Sequence, residues 1–354
     1  MKKITLTLLD LILAGVLTLV VTSASAQAQI TTLTSFNDTN GASPYASLTL
    51  SGSTLYSTTY QGGANGYGTV FSVPVGGGTP TVLASFNSTN GANPRGNLTL
   101  IGSTLYGTTA GGGANGYGAV FSVPVGGGTP TVLASFNFTN GANPQAGLTL
   151  SGSTLYGTTE TGGANDYGTV FSVPVGGGTP TVLASFNYTN GAGPYAGLTL
   201  SGSTLYGTTL NGGANGDGTV FSVPVDGGTP TVLASFNYTN GAGPYGGLTL
   251  SGSTLYGTTY SGGANTYDGT VFSVPVGGGA PTVLASFDST NGEGPRAGLT
   301  LSGSTLYGTT YTGGANGFGD GTVFSVPVVP EPDSATLSGM GVLAVALRRR
   351  RGPV

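Results

Sequence analysis

Residues 98–147 read LTLIGSTLYGTTAGGGANGYGAVFSVPVGGGTPTVLASFNFTNGANPQAG, four short runs of β-branched and aromatic residues separated by glycine-rich punctuation. The runs LTL (98–100), STLYGTT (103–109), AVFSVPV (119–125) and TVLASF (131–136) predict four strands, here called a to d. Glycine supplies the positive φ of tight turns between them, and Asn and Pro stabilise the remaining bends. On this reading the glycine is mostly turn chemistry.

The same unit recurs along the chain. PTVLASF starts at 80, 130, 180, 230 and 281, and GSTLYGTT at 102, 152, 202, 252 and 303, with the near-copy GSTLYSTT at 52. These are six copies with a period of 50 residues, lengthened by one around Asp268. Four-stranded antiparallel units at such a period are the pattern of β-propeller blades. The prediction is an all-β, six-bladed β-propeller over residues 29–328. The Leu and Tyr of strand b (Leu55/Tyr56 through Leu306/Tyr307), the Val and Phe of strand c (Val70/Phe71 through Val323/Phe324) and the Phe of strand d (Phe36 through Phe287) form its core. The repeated strand-c proline, Pro74 through Pro327, has no ladder donor, so regular pairing is expected to end or bulge there.

Closure is read from where the copies start and stop. TTLTSFN (31–37) is a d-type strand without its own a, b and c, while the last copy ends after strand c at Val328. Pairing 31–37 beside 322–328 would complete the sixth blade and remove two exposed sheet edges.

Composition narrows the chemistry. The 354 residues include 68 Gly, eight basic and twelve acidic residues, and no Cys, His or Trp. Disulfides, thiolate nucleophiles, imidazole metal ligands and a Ser-His-Asp triad are all excluded. Six of the eight basic residues lie at the two ends; between 27 and 328, Arg95 and Arg296 stand against nine acids, a net charge of −7. A surface of that sign repels phosphate backbones, so nucleic acid is not an expected partner.

Both ends read as sorting signals. Residues 1–28 carry Lys2 and Lys3, the apolar run LILAGVLTLVV (11–21) and the small-residue ending ASAQAQ, the layout of a secretory signal peptide. Residues 329–354 hold Pro330, Glu331 and Pro332, an apolar stretch, and Arg348, Arg349, Arg350 and Arg351. This order resembles the PEP-CTERM sorting signal, which implies export machinery and an exosortase-like processing enzyme as partners. The apolar stretch Ala335–Leu347 has 13 residues, fewer than the ~20 a spanning helix needs, so it suits transient membrane insertion rather than a stable span. The central copies, with their LTLSGSTLYGTT, GGANGYGTVFSVPV and TPTVLASF blocks, resemble the GloVer tandem-repeat family of bacterial exported proteins. That resemblance implies a propeller-like fold and a surface location, and transfers no catalytic residue.

Aligned copies differ mainly in the b–c and d–a loops, which a four-stranded blade places on one face. After the d-strand Asn or Asp stand Asp38, Ser88, Phe138, Tyr188, Tyr238 and Ser289; after the loop Pro, Tyr45, Arg95, Gln145, Tyr195, Tyr245 and Arg296; after strand b, Tyr60, Ala110, Glu160, Leu210, Tyr260 and Tyr311. Tyrosines beside polar loops suit sugars, whose C–H faces stack on aromatic rings. The candidate ligand-binding set is Tyr45, Tyr60, Arg95, Phe138, Tyr188, Tyr195, Tyr238, Tyr245, Tyr260, Arg296 and Tyr311. Neutral drift in exposed loops predicts much of the same variation.

Other signals are weaker. GGANGDGTV (212–220) partly resembles the turns of calcium-binding RTX repeats, and Asp166, Asp217, Asp268 and Asp320 fall in successive b–c loops. Asn215 replaces a Gly there and no nine-residue repeat follows, so the four read as solubilising turn residues and no metal or cofactor is assigned. The NxT triplets at Asn37, Asn87, Asn97, Asn137, Asn187 and Asn237 match a glycosylation acceptor only formally, and turn-forming Asn explains most of them. Glu160 and Glu293 lie three copies apart, too far for paired-carboxylate catalysis, and an ion pair with Arg296 accounts for Glu293. The expectation is a non-catalytic, exported protein of the cell envelope, surface or extracellular matrix that presents a propeller face to polysaccharide. A passive structural component without a ligand and a carbohydrate-active enzyme are the alternatives.

Overall fold

The computed structural model describes residues 31–328 apart from 266 and 316–318. The signal-peptide and sorting-tail segments lie outside the described residues. From Leu33 onward the described chain is all β. In the first repeat, strands a to d are Thr49–Ser51, Thr54–Thr59, Thr69–Pro74 and Thr81–Ser85, joined in that order as an antiparallel meander. Five repeats form such four-stranded sheets, and the sixth forms a three-stranded one from Thr300–Ser302, Thr305–Thr309 and Val323–Pro327. The arrangement is propeller-like.

Strand c ends at its proline in every repeat, as the missing donor requires. The bulge lies elsewhere: the c–d register shifts between Val70 and Phe71, and at the equivalent places of the next four repeats.

The core is made between sheets. Leu83, Phe86 and Tyr56 of the first repeat pack with Leu98, Leu105 and Phe121 of the second, and the grouping recurs down the chain. At its centre the strand-d Phe of one repeat meets the strand-c Phe of the next edge-on, centroids 4.9 Å apart: Phe86–Phe121, Phe136–Phe171, Phe186–Phe221, Phe236–Phe272 and Phe287–Phe324. Phe36 makes the same contact with Phe71, so the N-terminal segment acts as the d strand that precedes the first sheet. Gly78 N donates to Leu33 O (2.9 Å) just as Gly128 N donates to Leu83 O (2.8 Å).

One glycine of each later strand b serves packing rather than a turn. Gly207 lies mid-strand, and a Cβ there would come 2.6 Å from Phe221 Cζ and 3.1 Å from Leu198 Cδ2. The phenyl ring occupies the space a side chain would fill. The first repeat carries Ser57 instead, whose Oγ donates to the Ala46 and Ser47 carbonyls.

Neighbouring sheets are also stitched near strand a. Thr49, Thr99, Thr149, Thr199 and Thr249 each donate Oγ1 to the leucine carbonyl before strand a of the next repeat, at 2.5–2.7 Å. The sixth bond of this series, Thr300 to Leu48, is not made, and the Leu33–Asn37 segment is not paired to Val323–Pro327. The expected closure is therefore not observed. Its consequence is exposure at both ends of the array: Leu48 and Leu50 at 55% and 62%, and Tyr307 and Val323 at 43% and 80%. Tyr307 and Val323 thus depart from the expected core set. The counterparts of Tyr307, namely Tyr156, Tyr206 and Tyr256, are buried because another sheet covers them.

Replacing Gly207 by Ala forces Phe221 out of its seat, and overpacking of this kind costs about 1–3 kcal/mol. The expected result is a lower denaturant midpoint with an unchanged slope, measured by chemical unfolding.

Candidate functional site

The residue after the loop Pro stands just before strand a, and in all six repeats it faces one cavity of about 570 Å³: Tyr45, Arg95, Gln145, Tyr195, Tyr245 and Arg296. Glycine-rich neighbours let the strands approach there; a Cβ on Gly96 would lie 2.3 Å from the Ala146 carbonyl. Tyr60, Glu160, Tyr260 and Tyr311, which follow strand b, pack against this lining. Tyr60 meets Tyr45 edge-on (5.6 Å), and Arg95 Cζ lies 4.5 Å from the Tyr60 centroid and 5.6 Å from that of Tyr45. Arg95 Nη1 donates to Tyr195 Oη (3.1 Å) and Gln145 Oε1 (3.4 Å), and Gln145 Nε2 donates to Glu160 Oε2 (2.8 Å). Tyr195 packs on Tyr245 and Tyr245 on Tyr260, at 5.4 and 5.5 Å. Arg296 closes the series over Tyr311 (3.9 Å), Tyr260 (5.0 Å) and Tyr245 (5.7 Å).

Eight of the eleven expected residues thus form one continuous cluster. Phe138, Tyr188 and Tyr238 do not join it. They sit farther out on the loops, with Phe138 against Tyr117 and Tyr188 against Tyr167 at 5.4 Å. Sequence reasoning passed over Tyr117 and Tyr167 because their loop tyrosine recurs in several copies. It also left Gln145 and Glu160 out of the candidate set, since nothing in one-dimensional variation shows that they bond to each other.

Electrostatically the cluster is cationic at two points. Burial works against the Arg95 charge, but the Tyr60 and Tyr195 phenols outweigh it and raise its pKa. Burial also raises Tyr245, an effect that the nearby Arg296 charge partly opposes, so the phenol stays protonated at neutral pH. Arg296 lies on tyrosine faces, and no salt bridge joins it to Glu293 among the described residues, which corrects the expected ion pair.

The loop polar groups do structural work. Asn37 Oδ1 accepts from Asn40 N and Thr39 Oγ1, and the pattern repeats at Asn87, Asn137, Asn187, Asn237 and Asp288. Five of the NxT triplets are therefore turns, while Asn97 Oδ1 accepts from Ser47 N across a sheet boundary. Asp166 Oδ1 accepts from Gly162 N and Asp268 Oδ2 from Ser289 N, and no three acidic side chains gather as a metal site among the described residues.

The sheets and the cavity at their strand-a ends define a propeller-like repeat protein. The chain belongs to the Gloeobacter/Verrucomicrobia repeat family, whose model matches residues 17–200 and 100–324. A PEP-CTERM protein-sorting motif matches residues 328–351, which makes the chain an exported protein of the cell envelope or surface, recognised by an exosortase-type sorting system. No curated protein sequence matches the chain. Among solved structures it is similar to a protein assigned as TolB from Agrobacterium tumefaciens (15% identity, 78% of this chain and 87% of that one, TM-score 0.44). It is also similar to a GH74 enzyme from Niastella koreensis (20% identity, 68% and 37%, TM-score 0.46). A third is a puromycin-hydrolyzing peptidase from Mycobacterium tuberculosis (14% identity, 83% and 48%, TM-score 0.49). Likeness at this level carries no function across.

Burial raises the Asp217 and Asp268 carboxyls above their ordinary 3.8, and Glu293 and Asp288 add to the effect on Asp268. A carboxyl raised by folding favours the folded state only when protonated, so that stability is present below the ordinary value and lost as pH rises through the folded one. Asp268→Asn keeps an acceptor for Ser289 N and removes the charge. Its thermal midpoint is expected above wild type at pH 7, with the gap shrinking below about pH 4.

Proposed function

We propose that this chain is a non-catalytic surface protein that binds polysaccharide through the cavity lined by Tyr45, Arg95, Tyr195, Tyr245 and Arg296, with Tyr60, Tyr260 and Tyr311 packed against that lining. The observation that carries this reading is the run of tyrosine and arginine contacts around one cavity, built from positions that differ between repeats. Tyrosine faces give sugars a stacking surface, and phenol, amide and guanidinium groups give hydroxyls their partners. Neither a paired-carboxylate arrangement nor an activated nucleophile accompanies the cluster among the described residues, which favours binding over chemistry. A passive structural role, without a ligand, is the second reading, favoured by the near-identity of the repeats outside these loops.

Tyr195→Ala and Tyr245→Ala each remove a stacking ring, and losses of about tenfold or more in affinity for a bound matrix glycan are expected by titration calorimetry. Binding that survives both changes rules out this cavity as the site, and no binding to any glycan favours the structural role.

The same reading includes ring closure. Support comes from the unpaired edge of Val323–Pro327, the exposed leucines of the first sheet, and the d-type packing of Phe36. Strand c and strand d register Thr69 with Ser85, Thr219 with Ser235 and Thr270 with Ser286, so the sixth pair is Thr322 with Ser35. The chain has no cysteine. Ser35→Cys with Thr322→Cys is therefore expected to oxidise to a single intramolecular bridge, seen as a faster monomer band on non-reducing gels. Cross-linked multimers would show that a second copy fills the edge instead.

A further inference from the structure

We infer that the cavity selects acidic polysaccharide, with the Arg296 guanidinium taking the carboxylate of a uronic acid residue while the neighbouring tyrosines hold the sugar ring. This rests on the polysaccharide reading above and goes further by assigning the charge of the ligand.

The first ground is where the cations are. Across residues 27–328 there are two, Arg95 and Arg296, against nine acids, and both line this one cavity. A body with a net charge of −7 has no general attraction for a polyanion. Any anion it binds must be bound locally, and this cavity is the place where positive charge has been gathered.

The second ground is geometry. Arg296 lies 3.9 Å from the Tyr311 centroid and close to two further tyrosine faces. Stacking occupies the flat faces of the guanidinium and leaves its in-plane N–H edge for acceptors, the edge that matches two carboxylate oxygens. Its side chain is exposed, and among the described residues no carboxylate pairs with it.

Arg95 plays a different part. Its Nη1 is held by Tyr195 and Gln145, and Gln145 links it to Glu160, so this charge is already partly answered. Its Nε is buried and has no hydrogen-bond partner. Arg95 therefore shapes the cavity wall, while Arg296 offers a free edge. The protonated Tyr245 phenol between them adds no competing negative charge. A cavity of about 570 Å³ falls within the roughly 300–1,000 Å³ of small-molecule sites, enough for a short stretch of chain rather than a long groove.

The test compares one backbone with and without its charge, using the full-length chain. Polygalacturonate is expected to bind at least about tenfold more tightly than its fully methyl-esterified form, with affinity falling as salt rises. Arg296→Gln should erase that difference, and Arg296→Lys should keep only part of it, because an ammonium lacks the planar fork. Dextran sulfate should bind more weakly than polygalacturonate. Equal binding of the acid and ester polymers overturns the assignment of charge while leaving the polysaccharide reading standing. Equal binding of dextran sulfate overturns carboxylate recognition in favour of bulk charge, and failure to bind any polymer overturns both readings. The wild-type comparison needs no substitution, so a misfolded variant does not rescue the inference.

Discussion

From the second repeat on, each strand-c phenylalanine sits in a notch made by a glycine of its own strand b and is met edge-on by the strand-d phenylalanine of the preceding repeat. Gly207, Phe221 and Phe186 show the arrangement, with ring centroids 4.9 Å apart and both phenyl rings fully buried. Burying a phenylalanine contributes roughly 1.5–3 kcal/mol and the edge contact about 0.5–1.5 more. What matters structurally is that the contact joins two repeats, so no sheet owns its core. A single repeat cannot bury its apolar faces, and the array is stable only as a stack. The low charge follows, since a sheet covered on both faces leaves few places where an ionised group keeps its water.

The ends of the array test that dependence within the molecule itself. Strand-b tyrosines 156, 206 and 256 are buried, while Tyr307, identical in local sequence, is 43% exposed. Leu98 is 5% exposed and Leu48, at the same place in the first repeat, is 55% exposed. The difference is the presence or absence of the next sheet. The same seam interrupts the tyrosine and arginine series: Tyr45 and Tyr311, at its two ends, are 67% and 60% exposed. Folding and recognition therefore share one boundary, because the contact that would bury Leu48 would also bring the first and last residues of the cluster together.

The architecture was legible because it is written six times. Alternation within one copy is ambiguous, but strand limits that recur at 50-residue intervals are not, and the strand-c proline marked its strand end in every repeat. Tyr195 and Tyr245 were legible as candidates because they vary where the frame is constant. Gly207 was legible as a strand residue, but its task was not, because nothing in the sequence places Phe221 above it. Gln145 and Glu160 were hidden for a related reason: their hydrogen bond joins two loops 15 residues apart, and its meaning depends on Arg95 from another sheet. Periodicity reports what each repeat does for the fold; it is silent on contacts that break the symmetry.

Phe138, Tyr188 and Tyr238 break that symmetry in another way. Each has a positive φ, 71°, 67° and 65°, in a turn where the first two repeats place Asp38 and Ser88. A left-handed backbone costs an ordinary residue about 1–2 kcal/mol, and Asp and Asn bear it better than aromatics do. Stacking of Tyr188 on Tyr167 returns about 0.5–1.5 kcal/mol, which roughly cancels the cost without exceeding it. Burial adds little, since the three side chains remain 37–43% exposed. Stability alone therefore does not choose an aromatic residue at these turns. Three successive repeats carry one there nonetheless, on the same d–a loops that lead to the arginine–tyrosine cavity.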